Sequence, residues 1–196
     1  LNRMLNKYNP SVSSVIEIGC FDGRSIEYFP NFPKQYFGFD ADWENGLSLA
    51  RSKYDKNQNI VFSKCTNPLE IEIPDGLWFT MGISMETFEH LSDEILDGYL
   101  KILKKYVKGP IFITVPNEIG IFFAMKYLVR ALFFKESLGY TKYEFLMQIF
   151  GKSEYVERND HKGFNHKKLR SEIEKYFNVD SEYFIPFGKL PSSLNS

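Results

Sequence analysis

The sequence predicts an α/β fold, a three-layer Rossmann-like sandwich around a mostly parallel sheet. Short β-like apolar runs alternate with helical patterns along the chain, which is typical of parallel strands joined by crossover helices. A glycine-containing turn follows the first of these runs, and a carboxylate stands near the end of each of the first two. The length of 196 residues suits one domain, with residues 117–165 as a helical, lid-like insertion after the fifth strand.

The first half of the chain contains three predicted strands and two predicted helices. The strands are SVIEIG, QYFGFDA and NIVFSKC. A short helix over 22–29 is stopped by Pro30. A second helix runs from Trp43 to about Tyr54, with Asp42 as its N-cap.

The second half of the chain contains the clearest helix, LSDEILDGYLKILKKYVKG, with Ser92 as N-cap and Gly109 able to close it. The segment GLWFTMGI before it and PIFITVP after it are the fourth and fifth strands. A later helix covers 166–177, with Asn165 as cap and Phe164 and Leu169 at the positions of a hydrophobic staple. NVDSEYFIPF is predicted as a sixth strand.

The composition narrows the class of protein. It is 43% hydrophobic and 25% charged, which is typical of a water-soluble globular chain. The formal net charge of -1 provides no basic field for nucleic acid, so no nucleic-acid partner is expected. Two cysteines and an N-terminus without the apolar core of a signal peptide favour a reduced, cytoplasmic location.

The segment VIEIGCFDGRS resembles a nucleotide-binding turn, with Gly19 and Gly23 in place. Dinucleotide sites use a middle glycine so that the pyrophosphate can approach the backbone, and Phe21 would obstruct that approach. A ligand without phosphates does not need this glycine. Glu17 ends the first strand, and Asp40, 21 positions after Gly19, stands where a carboxylate usually accepts ribose hydroxyls.

Four motifs in order resemble class I S-adenosylmethionine (SAM)-dependent methyltransferases, in their small-molecule "type 11" branch. EIGCFDG is similar to the first motif, with a departure at Phe21, and FGFDAD is similar to the second acidic motif. ISMETFEHLSDE and FITVPNE are similar to the segments around the fourth and fifth strands. The resemblance runs from about residue 12 to about residue 118, and more loosely to the end.

The resemblance implies SAM as cofactor, a methyltransferase activity and a small-molecule acceptor. A hydroxyl or carboxyl oxygen of a glycan or lipid-linked precursor is the candidate acceptor group. The resemblance assigns no metal ligand. Ser84 and Met85 are expected to follow the fourth strand and to lie beneath the sulfonium, and Trp43 is expected near the adenine or in the core. The implied cofactor contacts are Glu17, Gly19, Cys20, Phe21, Gly23, Asp40, Ala41, Thr66, Ser84 and Met85.

Two histidines are candidate catalytic residues. His161 lies in the polar stretch ERNDHKGFN, a region that supplies substrate contacts in this family, and is the preferred general base. His90 is the second candidate, although it is more readily explained by shaping the entry to a helix. His166 is expected to face solvent. Glu86 and Glu89 are candidates for tuning the methyl-transfer site.

The sequence leaves two alternative functions open and allows two interpretations of the apolar segment 119–134. A nicotinamide-dependent oxidoreductase on a similar fold is disfavoured by Phe21 and by Glu17 before the first glycine. A methyltransferase-like protein that binds SAM without catalysis is the other alternative. The apolar segment 119–134, IGIFFAMKYLVRALFF, is interpreted as a core or lid helix, with weak contact to a membrane surface or lipid substrate as the alternative.

Overall fold

The computed structural model describes residues 1–8, 11–134, 139–159 and 162–183. The chain forms two compact units, Leu1–Val115 and Pro116–Ser196. The division falls directly after the fifth strand, close to the start of the predicted insertion. The expectation of one domain with a lid-like insertion over 117–165 stays a prediction.

The first unit contains a five-stranded parallel sheet in the order β3-β2-β1-β4-β5. The strands are β1 (Ser14–Ile18), β2 (Gln35–Asp40), β3 (Ile60–Lys64), β4 (Met81–Met85) and β5 (Ile111–Thr114). The central strand β1 pairs with β2 and β4, in a register that sets Glu17 opposite Gly38 and Ile83. The predicted Rossmann-like parallel sheet is therefore confirmed.

The central strands are apolar because both of their faces are covered. Val15, Ile16 and Ile83 are fully buried. The core cluster joins these strands to side chains from the helix after β2, such as Leu47 and Ala50. Both cysteines are buried free thiols.

Three α-helices belong to the first unit: α1 (Asn2–Tyr8), α2 (Gly46–Lys53) and α3 (Asp93–Tyr106). The predicted cap of α3 is confirmed, because the Ser92 hydroxyl accepts the N–H of Ile95 at 3.4 Å. Residues Leu96, Tyr99, Leu100 and Leu103 form its buried face. The helix predicted over 22–29 is a short 3-10 helix, Arg24–Tyr28.

Several predicted boundaries in the first unit are wrong. The helix after β2 begins at Gly46 rather than at Trp43, because the residues before it adopt left-handed backbone angles, with φ of +60° at Asp42 and +56° at Asn45. Ser84 and Met85 are the last residues of β4 rather than residues after it. Trp43 is 75% exposed, so the interpretation of its ring as core packing is also wrong.

The second unit is helical in its described part, with α4 (Gly120–Phe134), α5 (Lys142–Ile149) and α6 (His166–Glu174). The rings of Phe123, Tyr127, Tyr140 and Phe145 pack together, with centroids 4.5–6.4 Å apart. None of the helices within the described ranges combines the length and apolarity that crossing a bilayer requires.

The predicted cap of α6 is confirmed, and both residues of the predicted staple are buried. Asn165 accepts the N–H of Lys167 at 2.9 Å, and Phe164 and Leu169 are buried. The prediction that His166 faces solvent is wrong, because its side chain is buried and burial lowers its pKa. Residues 178–183 of the predicted sixth strand are not a strand, and the rest of that segment lies outside the described residues.

The cap of α3 provides a test of this local structure. Replacing Ser92 by Ala leaves the N–H of Ile95 without its acceptor and should lower the free energy of unfolding by about 1 kcal/mol. Urea unfolding of both proteins measures the change. Ser52→Ala, at an exposed serine inside α2, is the control. Equal losses in the two variants would mean that the Ser92 cap does not stabilise the fold.

Candidate functional site

The candidate site lies at the carboxyl edge of the sheet. The chain reverses its direction of winding between β1 and β4, which are neighbours in the sheet although they are far apart in sequence. In open α/β sheets such a switch point leaves a crevice beyond the strand ends, and ligands bind there. The structure places the glycine turn after β1 and the segment after β4 at this edge.

The glycine turn after β1 has left-handed backbone angles at three positions. The φ angles are +77° at Gly19, +46° at Phe21 and +71° at Gly23. At Gly19 a Cβ atom would lie 1.9 Å from Oγ1 of Thr87, so glycine is required for close approach as well as for its angle. Residues with a side chain rarely adopt a positive φ angle, so the backbone at Phe21 is strained.

Asp40 holds this turn in place. One oxygen of its carboxylate accepts the backbone N–H of Phe21 at 2.8 Å, and the other accepts the N–H of Asp42 at 2.7 Å. The N–H of the middle residue of the turn is therefore already bound to a carboxylate. A carboxylate offers about four lone-pair positions, so Asp40 retains acceptor capacity for ligand hydroxyls.

The ring of Phe21 packs on the start of α2. A Cβ atom at Gly46 would lie 2.4 Å from the ring, and the guanidinium of Arg24 lies 5.2 Å from the ring centroid. Arg24 is also paired with Asp22 at 2.8 Å. The aromatic side chain thus occupies the space beside the helix N-terminus.

Glu17 is a buried carboxyl beneath the turn. Its Oε2 accepts the hydroxyl of Ser25 and, at 2.5 Å, the hydroxyl of Tyr36. Ser25 and Tyr36 are themselves fully buried. Removal from water raises the pKa of Glu17 to about 7, and the nearby charge of Asp40 adds to the rise, while the two hydroxyl donors oppose it.

Other predicted cofactor contacts lie along the same edge. Cys20 is buried within the turn, and Ala41 is partly buried directly after β2. Thr66 follows β3, where its N–H bonds to Glu70 at 2.8 Å. Met85 ends β4 and is partly buried against the core. Ser84 Oγ is fully buried and has no hydrogen-bond partner within the described ranges, so a polar group remains unused near the end of β4.

The segment after β4 contains a second strained residue. Glu86 has a φ of +50°, and its N–H donates to the carbonyl of Thr114, the last residue of β5, at 2.9 Å. Its Oε1 accepts the hydroxyl of the same Thr114, also at 2.9 Å. The sequence suggested Glu86 only as a tuning group and gave no sign of Thr114, because the contact joins residues 28 positions apart.

Of the two candidate catalytic histidines, the structure describes only His90. His90 lies in the 3-10 helix after β4, with Nε2 3.6 Å from Oε1 of the buried Glu89. His161, the preferred base, lies outside the described residues. Its proposed role therefore stays a prediction.

Comparisons with known proteins support the fold. No protein-family model matches the sequence. No curated protein matches it either. Among solved structures, the methyltransferase domain of bacterial CtHen1 matches with a TM-score of 0.53 at 17% identity, over 95% of this chain and 89% of that one. The chain therefore has the class I methyltransferase fold.

Two further similar structures match this chain over only part of their own length. A SAM-dependent methyltransferase from Clostridium acetobutylicum has a TM-score of 0.44 at 19% identity, over 56% of this chain and 46% of that one. PKMT2 from Rickettsia typhi, in complex with AdoHcy, has a TM-score of 0.48 at 17% identity, over 87% of this chain and 34% of that one. The matched region spans less than half of each of these two proteins.

The raised pKa of Glu17 predicts a specific pH dependence of stability. The pKa of this carboxyl is about 7 in the folded chain against an ordinary value of 4.5, so the folded chain holds the proton more tightly between these pH values. The stabilisation is fully present below the unfolded pKa and is lost as pH rises through 7, by up to about 3 kcal/mol. Glu17→Gln removes this loss, and urea unfolding from pH 5 to pH 8 measures the difference.

The control for this experiment is Glu44→Gln, which alters an exposed carboxyl. We expect the stabilities of Glu17→Gln and the unmodified protein to diverge from about pH 5 to pH 7 and to run parallel above that, whereas the control runs parallel to the unmodified protein throughout. Parallel curves for Glu17→Gln would mean that Glu17 is ionised in the folded protein throughout this range.

Proposed function

We propose that this protein is a SAM-dependent methyltransferase that acts on a small-molecule acceptor. The observation that carries this proposal is the bond from the backbone N–H of Phe21 to Asp40. In dinucleotide sites the turn approaches a pyrophosphate. Here that amide is occupied by a carboxylate, and the Phe21 ring fills space beside it. The turn suits a nucleoside without phosphates.

The charge at the carboxyl edge favours the same ligand. Asp22, Asp40, Asp42 and Glu86 lie in or directly after the segments that form this edge, and Arg24 is paired with Asp22. A sulfonium and an ammonium group are attracted to such an edge, whereas a pyrophosphate is repelled. Asp40 is the candidate acceptor for the ribose hydroxyls, and Glu17 and Ser84 are candidates near the amino-acid end.

Bound SAM would supply a methyl group on a positively charged sulfur: the acceptor atom would provide the electron pair of the new bond to carbon, and the sulfur would keep the pair of the broken C–S bond. The protein's task is to align the acceptor with that methyl group. An alcohol oxygen also needs a base for its proton, whereas a carboxylate needs none. Glu86, held by Thr114, and His90 are the described groups available for this role, and His161 is the third candidate.

The likeness to the CtHen1 domain supports a methyltransferase over other proteins with a Rossmann-like sheet, and the electrostatics support SAM over a dinucleotide. A hydroxyl or carboxyl oxygen of a glycan or lipid-linked precursor is the proposed acceptor group. Calorimetry with SAM, its demethylated product and NADH tests the cofactor directly. Binding of NADH without binding of SAM would favour the oxidoreductase instead.

Asp40 provides the first test of the site. Asp40→Ala removes the proposed acceptor for two ribose hydroxyls and should weaken SAM binding by about 1–3 kcal/mol. Titration calorimetry measures the affinity, and circular dichroism verifies that the variant is folded, since Asp40 also holds the turn. Asp55→Ala, in an exposed turn after α2, is the matched control. Unchanged affinity in Asp40→Ala would refute the ribose assignment.

Phe21 provides the second test. Phe21→Gly relieves a left-handed backbone angle, so we expect SAM affinity to change by less than about tenfold. We expect no NADH binding to appear, because the carboxylates of the edge remain. A folded Phe21→Gly protein that has lost SAM binding would show that the ring itself contacts the cofactor. A gain of NADH binding would show that the ring alone excludes the dinucleotide.

A further inference from the structure

Helix α4 presents a row of exposed apolar side chains. These side chains lie between 48% and 75% exposed, which is unusual for aliphatic and aromatic residues that recur at helical spacing. At about 100° per residue they span a continuous arc of about 140° around the helix. The row, called here the α4 face, consists of Ile121, Met125, Leu128, Val129 and Phe133.

The opposite side of the same helix is anchored in the second unit. Phe123 and Tyr127 are buried there, and their rings pack with Tyr140 and Phe145. One side of α4 is therefore packed into the second unit, and the interpretation of 119–134 as a core or lid helix stays a prediction. Because the aromatic cluster fixes the rotation of the helix, the α4 face is held outward.

Cations border the α4 face. Lys126 and Arg130 follow directly beyond the Phe133 edge of the arc, and both are exposed. Lys126 pairs with the buried Glu118, and the guanidinium of Arg130 lies 5.7 Å from the centroid of the Tyr127 ring. The segment 119–134 contains no Asp or Glu. Residues 116–196 contain 12 Lys and Arg and 10 Asp and Glu, so basic residues are in excess there. Residues 1–115 contain 12 Lys and Arg and 15 Asp and Glu, so acidic residues are in excess.

We propose that the α4 face docks on an anionic membrane surface, with the helix lying in the plane of the interface. An apolar arc with basic residues at its border is the arrangement by which amphipathic helices bind the boundary between headgroups and acyl chains. Arg130, with its long exposed side chain, is the border cation nearest to headgroups in this arrangement, whereas the ammonium of Lys126 is paired with Glu118. At 15 residues α4 is too short to span a bilayer.

The chemistry of the α4 face favours lipid over a second copy of the chain. Stable protein interfaces bury about 800 Å² on each partner and contain about one hydrogen bond for every 100–200 Å². The α4 face is one side of a helix about 22 Å long, and its five side chains offer no hydrogen-bonding group. Acyl chains require no such group.

The experiment is flotation of the full chain with phosphatidylcholine vesicles, with and without phosphatidylserine. We expect binding to the phosphatidylserine vesicles that weakens as salt is raised. Leu128→Glu should weaken this binding about tenfold or more, because it sets a charge in the apolar arc. Leu69→Glu, at a 91% exposed leucine of the first unit, is the matched control and should bind as the unmodified chain does.

A second variant tests the charge at the border. Arg130→Gln should reduce the preference for phosphatidylserine about fivefold. Circular dichroism verifies that each variant is folded, and SAM affinity should be unchanged in both. Failure of SAM binding in the unmodified chain would therefore refute the proposed function without affecting this proposal.

Three results would overturn membrane docking. The first is absence of binding to the phosphatidylserine vesicles. The second is equal weakening by Leu128→Glu and Leu69→Glu, which would mean that the α4 face is not the contact. The third is a dimer, seen by sedimentation velocity, that Leu128→Glu dissociates while vesicles do not bind. That result would assign the face to a second copy of the chain.

Discussion

The candidate site depends on one carboxylate, that of Asp40, which joins the end of β2 to the glycine turn after β1. Its two oxygens accept the backbone N–H groups of Phe21 and Asp42, and both of these residues have left-handed backbone angles. Each such angle costs free energy at a residue with a side chain. The two charge-assisted hydrogen bonds offset part of that cost and fix the turn before any ligand arrives. In the proposed function the same bonds favour a ligand without phosphates, because the bond to Phe21 occupies an amide that a phosphate would otherwise approach.

At Glu17 the folded core and the proposed cationic ligand favour different protonation states of the carboxyl. The core favours its neutral form, since the carboxyl is removed from water, whereas a cationic ligand at the edge would favour the ionised form. With a pKa of about 7, the carboxyl is present in similar proportions of the neutral and the ionised form at neutral pH. The hydroxyls of Ser25 and Tyr36 both donate to Oε2, and these hydrogen bonds oppose the rise in the pKa by favouring the ionised form. Binding of a cation would then release a proton from the protein.

Local features were predictable from the sequence, and features that depend on distant contacts were not. The caps at Ser92 and Asn165 are determined within one helical turn, and the strands are recognised by their apolar runs. By contrast, the partners of Glu17 lie on two other elements, and the partner of Glu86 lies on β5. His166 is polar and opens a helix, which favours exposure, yet tertiary packing buries it. The start of α2 was misplaced because the backbone angles at Asp42 and Asn45 are left-handed without any glycine to indicate them.

The proposed binding of SAM involves the first unit, and the proposed docking on a membrane involves the second. The first unit has three more acidic than basic residues, and its carboxylates suit a water-soluble cation. The second unit has two more basic than acidic residues and presents the α4 face. One apolar arc of five side chains with two bordering cations supports reversible rather than permanent attachment to lipid. An enzyme whose methyl donor is dissolved in water and whose acceptor is linked to lipid needs reversible attachment. Permanent burial in the bilayer would separate such an enzyme from its methyl donor. Within the two proposals, a lipid-linked precursor is the acceptor class that suits both a water-soluble methyl donor and an apolar helix face at a membrane surface.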